Sequence, residues 1–237
     1  MTTTTIDASD IVVTRDLKMS TPDLGWLASG LLAAAATDEV FGVRCHAHIV
    51  AEGLSAIAVA TDGYRIHQMH LSLRAPVDPV EAVIPRDVLV WAKRNARTFK
   101  PKRDSLIEPV AHLTLTVPAI KDDNSVAGWV AAVYREWDDE AAPSARFDAP
   151  LAREAYPNTG RMIDIARSSQ PSAPHALALS HLADTQHLQT SFTAVPVIAY
   201  TVGSTGKPGP AILDFWEGAN LRATALIQPT SGAGDED

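Results

Sequence analysis

Cysteine is almost absent from this chain of 237 residues. Cys45 is the only one, so no intramolecular disulfide can form, and the composition suits a reducing compartment. Long apolar runs are missing too: no stretch approaches the roughly 18 consecutive apolar residues of a membrane-spanning helix. The opening MTTTTIDASD has neither the basic start nor the apolar run of a secretory signal, which gives the expectation of a cytoplasmic protein with no membrane association. Positive charge is in the minority, with 20 Lys and Arg against 28 Asp and Glu and a formal net charge of −8. A compact non-specific DNA binder is usually basic, because neutralised phosphates supply most of its affinity. Only cations gathered on one face would reconcile this balance with nucleic acid. The chain also lacks GxxxxGK[ST], GxGxxG and HExxH, which removes the usual signatures of phosphate cradles and zinc proteases. GSTGKPGP at 203–210 places a lysine after a glycine, but its prolines do not open a helix and the segment reads as a hairpin loop. The serines lack the pattern of a nucleophile elbow.

What is present is enough apolar material for a substantial core. Hydrophobic residues make up 46% and charged residues 20%, which fits one large domain or two smaller ones. Residues 21–39 read as a helix: Thr21 is a candidate cap, Pro22 and Asp23 suit a first turn, and Leu24, Leu27, Leu31, Ala34 and Ala35 recur at helical spacing. Residues 41–53 and 54–74 read as strands and turns. Residues 82–100 read as a short strand running into a second helix, followed by strands in HLTLTVPAI and WVAAVYREW. The stretch 145–165 reads as extended. A third helix over 176–188 precedes strands in VPVIAYTVG, PAILDFWEG and LRATALIQP. A helix followed by several antiparallel strands, three times over, predicts an α+β fold rather than a doubly wound parallel sheet.

Three places are candidates for chemistry. ATDGYRIH at 60–67 puts Asp62-Gly63 between two strand-like runs, where Gly63 supplies a positive φ and Asp62 bonds to nearby backbone, so the cluster reads first as a turn. No second carboxylate lies close enough in sequence for paired acid–base work. RCHAH at 44–48 places His46 and His48 on one face of a strand, with Cys45 on the other. Two histidines leave a metal site short of a ligand, so a metal-dependent hydrolase stands only as a distant alternative and no metal or cofactor is expected. The second helix is more informative. Arg86, Lys93, Arg97 and Lys100 fall in one narrow sector, with Val88, Ala92, Asn95, Ala96 and Phe99 on the other side, and Lys102 and Arg103 extend the stripe. In an acidic chain this is either a solvated helix face or a surface that meets phosphates without reading sequence.

Four fragments, in order, then resemble one family. SAIAVATDGYRIHQMHL (55–71) looks like the strand-turn-strand signature ending in TDGHRL of bacterial DNA polymerase sliding clamps, the beta subunits, with Tyr64 and Ile66 replacing histidine and leucine. AVIPRDVLVWAKR (82–94) resembles the clamp segment in which a proline-arginine pair opens a helix. EAYPNTGRMI (154–163) is similar to EGRFPDYRRVL, with Pro157 and Arg161 retained. LRATALIQPTS (221–231) resembles the closing strand, with Pro229 kept and Gln228 and Thr230 replacing methionines.

The resemblance implies clamp-like units of a helix plus antiparallel strands, with two sheets outside and helices on an inner face. It implies no active site and no cofactor. Implied partners are duplex DNA without sequence specificity, a polymerase or other replication or repair protein bound through a short peptide, a clamp loader, and further copies of the chain in a homo-oligomer. It places a peptide-binding pocket on Thr61, Gly63, Arg65 and Ile66 as one wall, Pro157, Arg161 and Met162 at the junction, and Leu226, Gln228 and Pro229 opposite. It makes Arg86, Lys93, Arg97 and Lys100 DNA-facing. The expected organisation is a flexible arm at 1–13, a complete clamp-like domain at 14–153, a shorter domain or half-domain at 154–230 and an acidic tail at 231–237. The chain is short for such a subunit. The alternative is therefore a clamp-derived peptide-binding adaptor or inhibitor that does not encircle DNA.

Overall fold

A computed structural model describes residues 12–101, 109–118, 128–134, 142–152, 154–190 and 195–230. Lys102, Arg103 and the arm and tail at 1–11 and 231–237 lie outside the described residues. Strand β1 (Val12–Ser20) leads directly into helix α1 (Thr21–Ala34). A 3₁₀ segment (Glu39–Cys45) precedes the long hairpin of β2 (Ala47–Thr61) and β3 (Arg65–Ile84). Helix α2 (Arg86–Thr98) is followed by β4 (Val110–Pro118), β5 (Gly128–Tyr134) and β6 (Ala145–Pro150). Helices α3 (Thr159–Ser168) and α4 (Leu179–Asp184), the latter extended by a 3₁₀ turn at Thr185–Leu188, precede β7 (Ile198–Val202), β8 (Pro208–Glu217) and β9 (Asn220–Ile227).

The strands form two antiparallel sheets, ordered β1-β4-β5-β6 and β2-β3-β9-β8-β7. This is the expected α+β arrangement: helix and antiparallel strands recur three times, as α1 with β2 and β3, α2 with β4 to β6, and α4 with β7 to β9. Strand β3 pairs with β9, Ile66 opposite Leu226, so the larger sheet joins strands from both sides of the expected division at 153/154.

Both sheets turn an apolar face to one core, in which Leu24, Leu27 and Leu31 of α1 meet Met69 of β3, Leu113 of β4, Trp129 of β5 and Phe215 of β8. The indole of Trp129 is buried and donates to the Val83 carbonyl at 2.8 Å, satisfying the polar atom that its burial would otherwise leave costly.

Helices α1 and α2 lie side by side and antiparallel. The Thr21 hydroxyl at the start of α1 donates to the Phe99 carbonyl past the end of α2 at 2.8 Å, and Arg86 at the start of α2 donates to the Ala36 carbonyl past the end of α1 at 3.1 Å. Gly25 sets their separation, since a Cβ there would stand 3.0 Å from the Ala96 Cβ. Gly25→Val is expected to force the helices apart at a cost of about 1–3 kcal/mol, measured as a lowered urea midpoint with an unchanged slope.

Several local expectations need correction. Ser20, not Thr21, caps α1, its hydroxyl oxygen accepting from the Asp23 amide at 3.1 Å. Residues 12 and 13, read as part of a flexible arm, belong to β1, paired with Pro118 and Val117. Residues 39–45 form a 3₁₀ segment broken at Gly42, so Cys45 is not in a strand.

The largest departure is α3. The stretch 145–165 is extended only to Pro150, and Asn158 then caps a helix through its carboxamide oxygen, which accepts from the Arg161 amide at 3.1 Å. Ile163 and Ala166, three residues apart on one helical face, cover Val59, Ile66, Ile212 and Leu226 on the side of the larger sheet turned away from α1.

Candidate nucleic-acid face and peptide cleft

The DG turn between β2 and β3 is built almost wholly from its own polar groups. Asp62 Oδ1 accepts from the amides of Tyr64 and Arg65 at 2.9 and 3.0 Å, and the Thr61 hydroxyl donates to the Arg65 carbonyl while accepting from the Gly63 amide. Gly63 sits at φ +99, a conformation that side chains oppose. Arg65 is held between two carboxylates, its Nε on Asp62 Oδ2 at 3.0 Å and its Nη1 on Asp184 of α4. The charges of this stretch are therefore spent on one another, and the turn serves to fasten β3 to α4.

The ten positions expected to form a peptide cleft come to one corner of the larger sheet. Ile66 and Leu226 face each other across β3 and β9, the Gln228 amide donates to the Tyr64 carbonyl at 2.8 Å, and Pro229 bridges to Leu177. Pro157, Arg161 and Met162 belong to the entry and first turns of α3. Tyr156 ties that entry to the turn: its hydroxyl accepts from the Thr61 amide at 3.2 Å and donates to the His46 carbonyl at 3.4 Å. Burial pushes that phenol well above its usual pKa. The walls differ in availability. Ile66 and Leu226 are 2% and 1% exposed, covered by Ile163 and Ala166. Thr61 is buried, Arg65, Pro157, Gln228 and Pro229 are half-buried, and Gly63, Arg161, Met162 and neighbouring Tyr64 are exposed. Arg167, one helical turn further on, anchors α3 through Asp214 Oδ1 at 2.8 Å and the Thr224 hydroxyl at 2.9 Å.

The four cations expected to face DNA do not all converge. Arg86 is turned onto the Ala36 carbonyl at the far end of α1, and its amide donates to His46 Nδ1. Lys93, Arg97 and Lys100 come together on the wall of a groove of about 490 Å³ between α1, α2 and the turn after α4. Thr21, Gly25, Trp26 and Ser29 form the opposite wall, and Gln186, His187 and Gln189 close the end. None of the three cations makes an ion pair with a described residue, whereas Arg65, Arg146, Arg167 and Arg222 all do. Sequence reading found these cations through their helical spacing. It missed the residues facing them, because α1 carries no cation and the turn after α4 approaches only in the folded chain.

His46 and His48, weighed as metal ligands, part company. His46 serves the Arg86 amide, while His48 contacts Glu81 at 3.0 Å and stacks on Tyr156. Among the described residues no three His, Cys, Asp or Glu side chains gather as a metal site.

No protein-family model matches this sequence, and no curated protein matches it. Solved structures do. A DNA polymerase III beta subunit from Eubacterium rectale superposes with a TM-score of 0.53 at 13% identity, over 91% of this chain and 65% of its own length. The sliding clamp of Pseudomonas aeruginosa, solved with a ligand, gives 0.56 at 12% identity, over 91% of this chain and 66% of its own. The beta subunit from Thermotoga maritima gives 0.54 at 10%, over 92% and 65%. At such identities the likeness is one of backbone, and nearly all of this chain is laid over just under two thirds of each clamp. The helix-and-strand units, the two antiparallel sheets and the pair α1 and α2 side by side on one face are the fold of bacterial sliding-clamp subunits, over just under two thirds of their length.

Proposed function

We propose that this protein is a non-enzymatic, clamp-like accessory factor of DNA replication or repair in the cytoplasm. It associates with duplex DNA through Lys93, Arg97 and Lys100 and holds a partner protein by a short peptide at the α3 corner. The observation that carries the reading is the collection, on one groove of a chain whose net charge is −8, of three cations that make no ion pair with a described residue, on a fold shared with sliding clamps. Cations left unpaired in an acidic protein are available to neutralise phosphates, and phosphate contacts position a protein on DNA without reading its sequence. Holding a polymerase or repair enzyme beside DNA raises its local concentration without any chemistry of its own.

The partner peptide is assigned to the exposed rim of the corner. Ile66 and Leu226 are already filled by α3, so leucine and phenylalanine side chains of a partner meet Tyr64, Met162 and Pro229, with Arg161 orienting the peptide backbone or an acidic flank. Gln228, an amide where an apolar residue would be indifferent, favours a peptide that offers it a hydrogen bond. Met162→Asp is expected to weaken binding of short peptides carrying paired leucine and phenylalanine at least tenfold, about 1.4 kcal/mol, while DNA affinity stays unchanged. A fluorescence-anisotropy titration of such a peptide panel reads the effect, and equal loss of both activities would reject the assignment.

A second reading, an adaptor that binds peptides without encircling DNA, is favoured by Arg86 being spent within the fold. Light scattering across concentration, followed by electron microscopy of a cross-linked sample, separates the two. A closed homo-oligomeric ring supports encirclement and a requirement for a clamp loader. A monomer or open dimer supports the adaptor.

A further inference from the structure

The groove beside α2 holds more than cations. It is an open-sided groove of about 490 Å³, within the range of small-ligand sites, where a purely phosphate-facing helix needs only a flat positive face. Its cationic wall is Lys93 and Arg97, one turn apart on α2, and Lys100 just past the end of that helix. Its apolar wall includes Trp26, whose indole is fixed by donation to the Leu188 carbonyl at 3.1 Å and by the Arg222 guanidinium over its ring at 5.2 Å. Its end is made by Gln186 and Gln189 on the turn after α4, both exposed.

We propose that this groove seats an unpaired nucleotide of a single strand. Its flanking phosphates run along Lys93, Arg97 and Lys100, its base lies against the Trp26 wall, and its edge is met by the carboxamides of Gln186 and Gln189. The inference rests on the reading that the α2 cations face nucleic acid, and goes beyond it in strand type. A duplex brings only its phosphate rail to such a surface, because its bases are stacked and paired inside; an unpaired nucleotide can lower its base into a cavity. A positive track beside an aromatic wall is the combination that binds single strands, with little preference among bases. A carboxamide both donates and accepts, so two of them tolerate any base edge. An isolated inorganic anion would leave the indole and both amides unused. Two cations one helical turn apart and a third just past the helix end suit a chain of phosphates better than a single terminal group.

The test compares a labelled oligothymidine with a duplex of the same length by fluorescence anisotropy at one fixed salt concentration. The wild-type chain is set beside Gln186→Leu/Gln189→Leu and Lys93→Gln/Arg97→Gln. Both double variants change exposed or groove-lining side chains, and circular dichroism melts check that they fold. The expected result is a loss of about tenfold in oligothymidine affinity for the glutamine variant with duplex affinity unchanged, and a loss of both for the cation variant. If the glutamine variant leaves oligothymidine binding intact, or weakens both ligands equally, the seat is overturned while the cation reading stands. Binding of neither ligand by the wild-type chain overturns both. Competition by a free deoxynucleoside triphosphate as effective as that of the oligonucleotide overturns the strand assignment in favour of a mononucleotide site.

Discussion

Replacing Lys93, Arg97 and Lys100 together by glutamine is expected to lower affinity for duplex DNA on the order of 100-fold at low salt and to flatten its salt dependence. Each phosphate neutralised by a cation releases condensed counterions and contributes about 0.9 to the slope of log affinity against log salt, so three lost contacts remove about 2.7. The slope is the sharper readout, because a partly unfolded variant loses affinity at every salt concentration, whereas a lost phosphate contact loses it mainly where salt is low. The three side chains are suited to this role because none is engaged in an ion pair with a described residue, and the variant leaves the buried face of α2, Val88, Leu89, Ala92 and Ala96, untouched. Arg86 supplies the contrast. Its guanidinium is bonded to the Ala36 carbonyl, so Arg86→Gln should cost stability where α1 meets α2 and leave the salt slope close to that of the wild-type chain. An unchanged slope in the triple variant would remove the α2 groove from any account of DNA association.

The difference between Arg86 and the other three marks where sequence reading ends. Periodicity places all four in one sector of α2, because angular position depends only on spacing along the helix. Which of them is free depends on what packs beside each turn, and the end of α1 reaches Arg86 only in three dimensions. The same division runs through the fold. The repeated order of helix and antiparallel strands is legible because burial on one side of a helix or strand writes its period into the chain. The turn at Asp62-Gly63 is legible because positive φ and local side-chain bonding demand those residue types.

The sequence of helix α3 reads as extended although Asn158 is a good cap and Ile163 and Ala166 share a face. Its first turn contains Thr159 and Gly160, weak helix formers, and the apolar partners that stabilise it, Ile212 and Leu226, lie about 50 and 60 residues away in the chain. The residues proposed for the cleft rest on a motif, and a motif carries no information about what occupies the space between its members. Here Ile66 and Leu226 are covered by the chain's own helix. Asp184, which shares Arg65 with Asp62, was invisible for the same reason.

Acid should weaken this protein in a window set by one buried side chain. His67 of β3 is fully buried, and its Nδ1 donates to the Gly30 carbonyl of α1 at 2.8 Å while Nε2 has no hydrogen-bond partner among the described residues. Burial is the main cause that brings its pKa down from 6.5 to about 4. The bond to Gly30 and the carboxylates of Asp184 and Asp62 pull the other way, and Arg65 adds to the lowering. The unfolded chain therefore takes up a proton near pH 6.5 that the folded chain refuses until about pH 4, and stability falls as pH drops through that interval. The full interval corresponds to about 3 kcal/mol, a large share of the margin of an ordinary domain. Above pH 6.5 both states hold a neutral ring and the effect is absent. Urea unfolding followed from pH 7.5 to pH 4 should show this decline. His67→Leu should flatten it, because no group at that position then titrates, even if the lost bond to Gly30 lowers stability at neutral pH. Half-buried His70 is also shifted downward, chiefly by burial, so His70→Gln is the necessary comparison. A decline that persists in His67→Leu and vanishes in His70→Gln would assign the acid sensitivity to the other face of β3. Because His67 packs α1 against the sheet that carries the DG turn and the α3 corner, an acid-induced loss at this position loosens the groove wall and the peptide rim together.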